Sequence, residues 1–328
     1  MTWAEDGPAA LTWALAELRD RGLDPGEPEA PRVRPWSAVV RIPHAGGGAW
    51  LKVPGAGSPH EPRLVAALAT WSPASVIEPL AVDPAGRWLL TADAGPILRV
   101  RGPHGLEAWT AVLVEYAQLQ IAVAPHAQAL VALGVPDLRG VRPVAAVRAL
   151  LAEDARRWDP EGGGGLGADL RERVRADLGR YDDRCRELAA GPVPSTVQHG
   201  DVHDGNVVTE GGRLRFLDWG DASVGHPFAD LLSPLHVAAS ELRVPPGDRL
   251  LLRLRDAYLE PWQVFTDRAS LTECCTLALA LAPALRALTW ERASLGVPAI
   301  ERSEMQGYLG GWLAEHLDPG PPGSWRAE

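Results

Sequence analysis

Apolar residues recur along this chain in two rhythms, and the change between them falls near Ala94. Residues 8–21 place Leu11, Leu15 and Leu18 on one side of a helix. After a Pro- and Glu-rich connector at 24–31, residues 33–42 and 49–53 read as strands around the turn His44-Ala45-Gly46-Gly47-Gly48. A helix carrying Leu64, Leu68 and Trp71 starts at Glu61, and residues 76–82 and 87–92 form a second strand pair turning at Asp83-Pro84-Ala85-Gly86. Beyond Ala94 the segments are long and helical. Leu106, Trp109, Leu113, Tyr116 and Leu119, at steps of three and four, predict one helix over 106–133. Further helices are expected over 144–158, 170–188, 228–240, 249–258, 271–288 and 300–316. The four-glycine loop at 160–165 reads as flexible and the Pro/Gly-rich tail 319–328 as poorly ordered. This division predicts an α+β chain of two lobes, 1–94 built on an antiparallel sheet and 95–328 mainly helical.

One interval in the helical half returns to the strand rhythm. Val207-Val208 and the run Leu214, Phe216, Leu217 flank Glu210-Gly211-Gly212, a hairpin pattern. Such a hairpin would set Asn206, just before its first strand, beside Asp218, just after its second, with Asp201 in the loop leading in. Two oxygen ligands on neighbouring strand ends suit magnesium, which keeps several waters and takes further ligands from substrate phosphates. A further carboxylate close by can accept a proton from an attacking hydroxyl. A metal clamp plus such a base is the working set of a phosphotransferase. The competing reading is a buried polar loop whose Asp and Asn side chains cap turns.

Composition removes several classes. A hydrophobic content of 46% with 23% charged residues describes a globular chain. The net charge of −10 argues against nucleic acid as the main partner, because phosphate backbones call for a basic face, and it is compatible with a cationic acceptor. No apolar run is read as reaching the length of a membrane span, and the first residues lack the basic start and apolar core of a secretory signal. Cys185, Cys274 and Cys275 have no metal-ligand spacing and are expected as reduced thiols, so a cytoplasmic location is expected. His199 and His203 flank Asp201 without a third nitrogen or sulfur ligand at fitting spacing, which speaks against zinc. Lys52 is the only lysine; a retained ammonium in a chain that otherwise uses Arg hints at a role a guanidinium would not fill.

His199-Gly200-Asp201-Val202-His203-Asp204-Gly205-Asn206 resembles the catalytic loop of the aminoglycoside phosphotransferase and choline kinase-like enzymes, which have the protein-kinase-like fold. Leu217-Asp218-Trp219-Gly220-Asp221, followed by Gly225-His226-Pro227 and Ala229-Asp230-Leu231, resembles their metal-binding segment and its continuation. The resemblance implies Asp201 as catalytic base, Asn206 and Asp218 as metal ligands, and Lys52 paired with Glu61 at the nucleotide phosphates. It further implies that Pro35-Trp36-Ser37 arches over the phosphates and that backbone groups of Thr91, Ala92 and Asp93 meet the adenine edge. His199 is implied as a structural support, and His203 as a residue that orients the loop or approaches phosphate. Asp221 is expected to satisfy loop amides, and Asp230 the first turn of the next helix.

The implied cofactors are ATP or GTP with Mg²⁺. The implied acceptor is a small-molecule hydroxyl of aminoglycoside, amino-sugar or choline-like kind. Helices beyond residue 240 would wall the acceptor, with Trp262, Trp290 and Tyr308 as candidate contacts. A monomer or homodimer is expected, with neither nucleic acid nor membrane as partner. The competing function is a nucleotide-binding pseudokinase serving as a scaffold, against which the full set of Asp201, Asn206, Asp218 and Lys52 speaks.

Overall fold

The computed structural model describes residues 3–102, 104–152, 166–297 and 303–321. The end of the helix expected over 144–158, the loop 160–165, the start of that over 300–316 and residues 322–328 lie outside them.

In the N-terminal part, β1 (Arg32–Arg34), β2 (Ser37–His44), β3 (Gly47–Pro54), β4 (Pro79–Val82) and β5 (Leu89–Ala92) form one antiparallel sheet in the order β1-β2-β3-β5-β4. Pro35 and Trp36 make the corner between β1 and β2, where the fixed φ of proline suits a tight turn. Along β2, Ala38, Val40 and Ile42 point inward at the strand period of two. They meet Ala10, Ala14 and Leu18, spaced by four on α1 (Trp3–Asp20), and close a core with Leu51, Val53 and Leu90. Helix α2 (Glu61–Trp71) faces the other way, and its Leu64, Val65 and Leu68 join the larger core of the helical part.

That part contains α3 (Leu106–Val123), α4 (Ala127–Ala132), α5 (Arg142–Ala152), α6 (Ala168–Ala189), α7 (Leu232–Leu242), α8 (Arg249–Leu259), α9 (Arg268–Ala293) and α10 (Ser303–Leu317). The two-lobed α+β architecture expected from the sequence is present.

Four local expectations are corrected. The single helix over 106–133 is interrupted by a 3-10 turn at Ala124–His126, because Pro125 has no amide to donate to the preceding turn. The ring of His126 then stacks on Trp71 of α2, with centroids 4.2 Å apart. The strand expected over 76–82 is shortened to β4, since Val76 leaves the sheet to bridge Phe216. The helix expected from residue 228 begins as a 3-10 turn, Pro227–Leu231. Finally, α9, with 26 residues, is long and apolar enough to cross a membrane, which the sequence reading did not anticipate. Half of its apolar window is buried within the fold, with Leu271, Cys275, Ala278 and Leu281 in the larger core.

Candidate active site

The expected hairpin is formed by β7 (Val207–Glu210) and β8 (Arg213–Phe216), paired from Val207↔Phe216 to Glu210↔Arg213. Its two turn residues, Gly211 and Gly212, have φ of +56° and +80°, the positive pair that a two-residue hairpin turn demands and that glycine adopts without strain. The Leu217 amide donates to the Asn206 carbonyl at 2.8 Å, so the residues flanking the hairpin are locked side by side. A second small pair, β6 (Thr196–Gln198) with β9 (Ser223–Gly225), carries the chain into residues 199–206 and out of residues 217–222. Two loops therefore converge at one end of two strand pairs.

Asp230 fixes the first of these loops. Its carboxylate accepts the amides of His199 at 2.7 Å and Gly200 at 2.9 Å, and also the hydroxyl of Tyr116 on α3. Gln120 of α3 donates to the Tyr116 oxygen at 3.1 Å and to the Val197 carbonyl at 2.9 Å, and Tyr258 of α8 donates to Gln120. Asp230 thus holds the loop backbone rather than the first turn of the next helix, the role expected from sequence. The loop's amides are exposed to the interior and need acceptors there. His199 is fully buried; its Nε2 meets the Leu217 carbonyl at 2.7 Å and its Nδ1 accepts the Asp201 amide at 3.3 Å. With both ring nitrogens taken by backbone, it ties one loop to the other.

Asp201 projects from this loop. Arg286 of α9 reaches its Oδ1 at 2.8 Å, while His203 Nε2 lies 3.3 Å from its Oδ2. Burial alone would raise the Asp201 carboxyl, but the Arg286 guanidinium prevails and holds it well below the usual carboxylate range. Arg286 also donates to Asp221 Oδ2 at 2.7 Å and to the Gly200 carbonyl at 2.8 Å. Asp221 is therefore an ion-pair partner of Arg286, where the sequence suggested a cap for loop amides. His203 accepts the Gly205 amide at 2.9 Å and faces Arg99, whose guanidinium clamps Asp204 at 2.7 Å.

Asp218 occupies the left-handed region at φ +62°, which Asp tolerates better than most side chains. Lys52 of β3 bridges its Oδ1 and Glu61 Oε1, both at 2.6 Å. Burial works against the Lys52 charge, yet the two carboxylates overcome it and raise the ammonium's pKa. Glu61, 1% exposed, is pushed up to about 7 by burial, with Lys52 opposing.

Asn206 donates its Nδ2 to the Asp201 carbonyl at 3.0 Å, which leaves Oδ1 for a ligand. Asp218 gives one oxygen to Lys52 and keeps the other. An amide oxygen and a carboxylate oxygen on neighbouring loops form a donor set that fits a hard cation such as Mg²⁺. Lys52, Asp201 and Asp218 line one cleft with Trp36, Ser37 and Arg292. Trp36 and Ser37, part of the segment expected to cover phosphates, thus share this cleft with the lysine.

A profile of the phosphotransferase enzyme family matches residues 37–274, from β2 into α9, a span that holds Lys52, Glu61, Asp201, Asn206 and Asp218 but ends before Arg286 and Arg292. The chain belongs to this family. No curated protein matches it. Among solved structures, this phosphotransferase is similar to a choline/ethanolamine kinase family protein from Mesorhizobium loti, with a TM-score of 0.57 and 18% identity, covering 95% of this chain and 96% of that one. An ethanolamine kinase of Plasmodium vivax gives 0.58 at 11% identity, covering 89% and 82%. An aminoglycoside phosphotransferase of Streptomyces rimosus, solved with ADP and streptomycin, gives 0.51 at 20% identity, covering 87% and 99%. At such identities the likeness is one of fold.

The segment expected at an adenine edge is partly engaged in this phosphotransferase. Thr91 and Ala92 pair with Trp50 and Ala49 in the sheet. Asp93 donates its amide to the Gly48 carbonyl at 2.8 Å and gives its carboxylate to Arg41 at 2.9 Å. From there the chain runs to Ile97, which bridges Val208 of the hairpin. Of the three aromatic candidates for the acceptor wall, Trp262 is fully buried against Phe228 and Tyr258 and belongs to the core. Trp290 stacks on the half-exposed Tyr308 at 4.5 Å and meets Trp36 edge-on at 6.0 Å.

Sequence reading missed Tyr116, Arg99, Arg286 and Arg292. The two α9 arginines did carry a signal. They interrupt an apolar helix at 286 and 292, where a charge needs an internal partner.

Proposed function

We propose that this phosphotransferase moves the γ-phosphoryl group of ATP or GTP, with Mg²⁺, to a hydroxyl group of a small molecule. The supporting observation is the unbroken polar chain from Glu61 through Lys52 to Asp218, in the same cleft as Asp201. In this reading residues 1–94 form the nucleotide lobe, and 95–328 the catalytic and acceptor lobe. Lys52, held by Glu61, grips the phosphates, and Thr91 to Asp93 flank the base. Asn206 and Asp218 hold the cation, which neutralises charge on the phosphates when bound. Asp201, kept ionised by Arg286, orients the acceptor hydroxyl and takes its proton. His199, His203 and Asp221 hold the two loops in register. The neighbours are named for choline, ethanolamine and streptomycin, and an amino alcohol of that kind is the acceptor we propose. The three free cysteines support a reducing cytoplasmic setting.

Isothermal titration of ATP in Mg²⁺ buffer and in EDTA tests the reading. Affinity is expected to fall sharply when the cation is removed; equal affinity in both buffers rules out the metal clamp. In nucleotide kinetics, Lys52→Ala is expected to raise the KM for ATP, with a smaller rise for Glu61→Ala. An unchanged KM in Lys52→Ala would return this lysine to a surface role.

A further inference from the structure

Among the described residues, Lys52 and Arg292 line the cleft and Arg286 stands behind it on Asp201 and Asp221; Lys52 and Arg286 are each taken up by two carboxylates. Lys52 has two carboxylates at 2.6 Å. Arg286 has Asp201 at 2.8 Å and Asp221 at 2.7 Å. Arg292, which lines the cleft with Lys52, Asp201 and Asp218, is different. Its Nη2 donates to the carbonyls of Asp221 at 2.8 Å and Ala222 at 3.4 Å. Its Nε is buried with no partner, and among the described residues no carboxylate forms an ion pair with it. A guanidinium taken out of water without a counter-ion is costly, and such groups are normally paired. The carbonyls that hold it belong to the residues just after Asp218, so its position is tied to the loop that carries the expected metal ligand. The turn before α2 packs against the backbone of Arg292, since a Cβ on Gly57 would stand 2.0 Å from its carbonyl oxygen, and Gly57 and Ser58 line the same cleft. The nearest carboxylate to act on this charge, that of Asp221, is already hydrogen-bonded to Arg286, so the Arg292 guanidinium is held in place without an ion-pair partner of its own.

We propose that Arg292 is a catalytic residue that binds the transferred phosphoryl group of the nucleoside triphosphate. The inference rests on the kinase reading above. In the transfer, the acceptor oxygen forms a bond to the γ-phosphorus as the bond from that phosphorus to the β–γ bridging oxygen breaks. The hydroxyl proton goes to Asp201, and the electron pair of the broken bond leaves on the diphosphate. Throughout, the three equatorial oxygens of the moving group carry negative charge, and Arg292 supplies the counter-charge from the α9 side while Lys52 does so from the β3 side. A planar fork already held by two carbonyls is pre-oriented for this, with little reorganisation left for the moment of transfer.

The test compares ADP with the non-hydrolysable triphosphate AMP-PNP, both with Mg²⁺, by isothermal titration on the parent chain and Arg292→Gln. Acceptor-free ATP hydrolysis is measured alongside. A charge-assisted hydrogen bond lost only from the triphosphate should leave ADP affinity near the parent's. It should cut the preference for AMP-PNP by about 10- to 100-fold, with hydrolysis falling in parallel. If Arg292 instead awaits an anionic group on the acceptor, both nucleotide affinities and hydrolysis stay at parental values, and the assignment is overturned. Should Arg292→Gln not fold, Arg292→Lys decides. It keeps a charge but not the fork, so intact ADP affinity with a weakened AMP-PNP preference supports the proposal, and a parental preference overturns it. A parent chain that binds neither nucleotide would bring down the kinase reading itself.

Discussion

Asp201→Asn is expected to slow turnover by roughly 10²–10⁴-fold, the usual contribution of a positioned acid or base, with nucleotide affinity close to that of the parent. The substitution keeps size and shape. The Asn oxygen still accepts from Arg286, which retains Asp221 at 2.7 Å, and the site is 30% exposed, so the loop should keep its geometry. What disappears is the anion that accepts the proton. Because Arg286 holds the Asp201 carboxyl below its ordinary range, the parent carries this anion throughout the neutral pH range. Turnover and nucleotide affinity measured on the same preparation decide the matter: normal turnover in the variant would remove Asp201 from the mechanism. A loss of nucleotide affinity equal to the loss of turnover would move it to the nucleotide side.

Asp218→Asn should fail in both respects. The carboxylate stands between two positive charges, the Lys52 ammonium at 2.6 Å and the cation we place against its free oxygen. Neutralising it weakens the hold on the metal directly. Removing even an outer partner of a metal ligand commonly costs about 10–100-fold in affinity or activity, and a ligand itself should cost more. Asn suits the test because, like Asp, it tolerates the left-handed backbone found at φ +62°. Loss of function then reports the charge and not a strained turn. Mg²⁺-dependent ATP affinity at the parental value in this variant would show that the cation is held elsewhere.

The placement of these two aspartates on neighbouring loops was legible in the sequence, because it depends on short-range features. Alternating apolar residues and a Gly-Gly turn make a hairpin almost independently of the rest of the chain, and the hairpin alone sets Asn206 beside Asp218. Lys52 and Glu61, nine residues apart across a strand and a helix start, were likewise legible, and they meet at 2.6 Å. The arginines were not. Arg286 lies 85 residues beyond Asp201, on a helix whose placement depends on the packing of the whole helical lobe. The same holds for Tyr116 and Asp230, 114 residues apart. Periodicity read straight through Pro125 because the apolar spacing continues on either side of it, although the missing amide breaks the helix there. It also read only a helix over 271–288 where α9 runs from Arg268 to Ala293. Half its apolar window is buried, yet its composition alone would pass for a membrane span.

Asp230 bears on how such an enzyme can diverge. One carboxylate gathers the backbone of the reactive loop, a tyrosine of α3 and, through Gln120, a tyrosine of α8. Any change in how those two helices sit is transmitted to Asp201, so they are poor ground on which to vary what the enzyme accepts. The outer pair of Trp290 and Tyr308 is attached differently. It rests on α9 and α10, where Trp290 meets the cleft-lining Trp36 edge-on, and Tyr308 is still 38% open to solvent. Trp290 still lies under the Arg286 guanidinium at 5.6 Å, so it is Tyr308 that selection, or a designer, can rewrite while the chemistry behind it stays as it is.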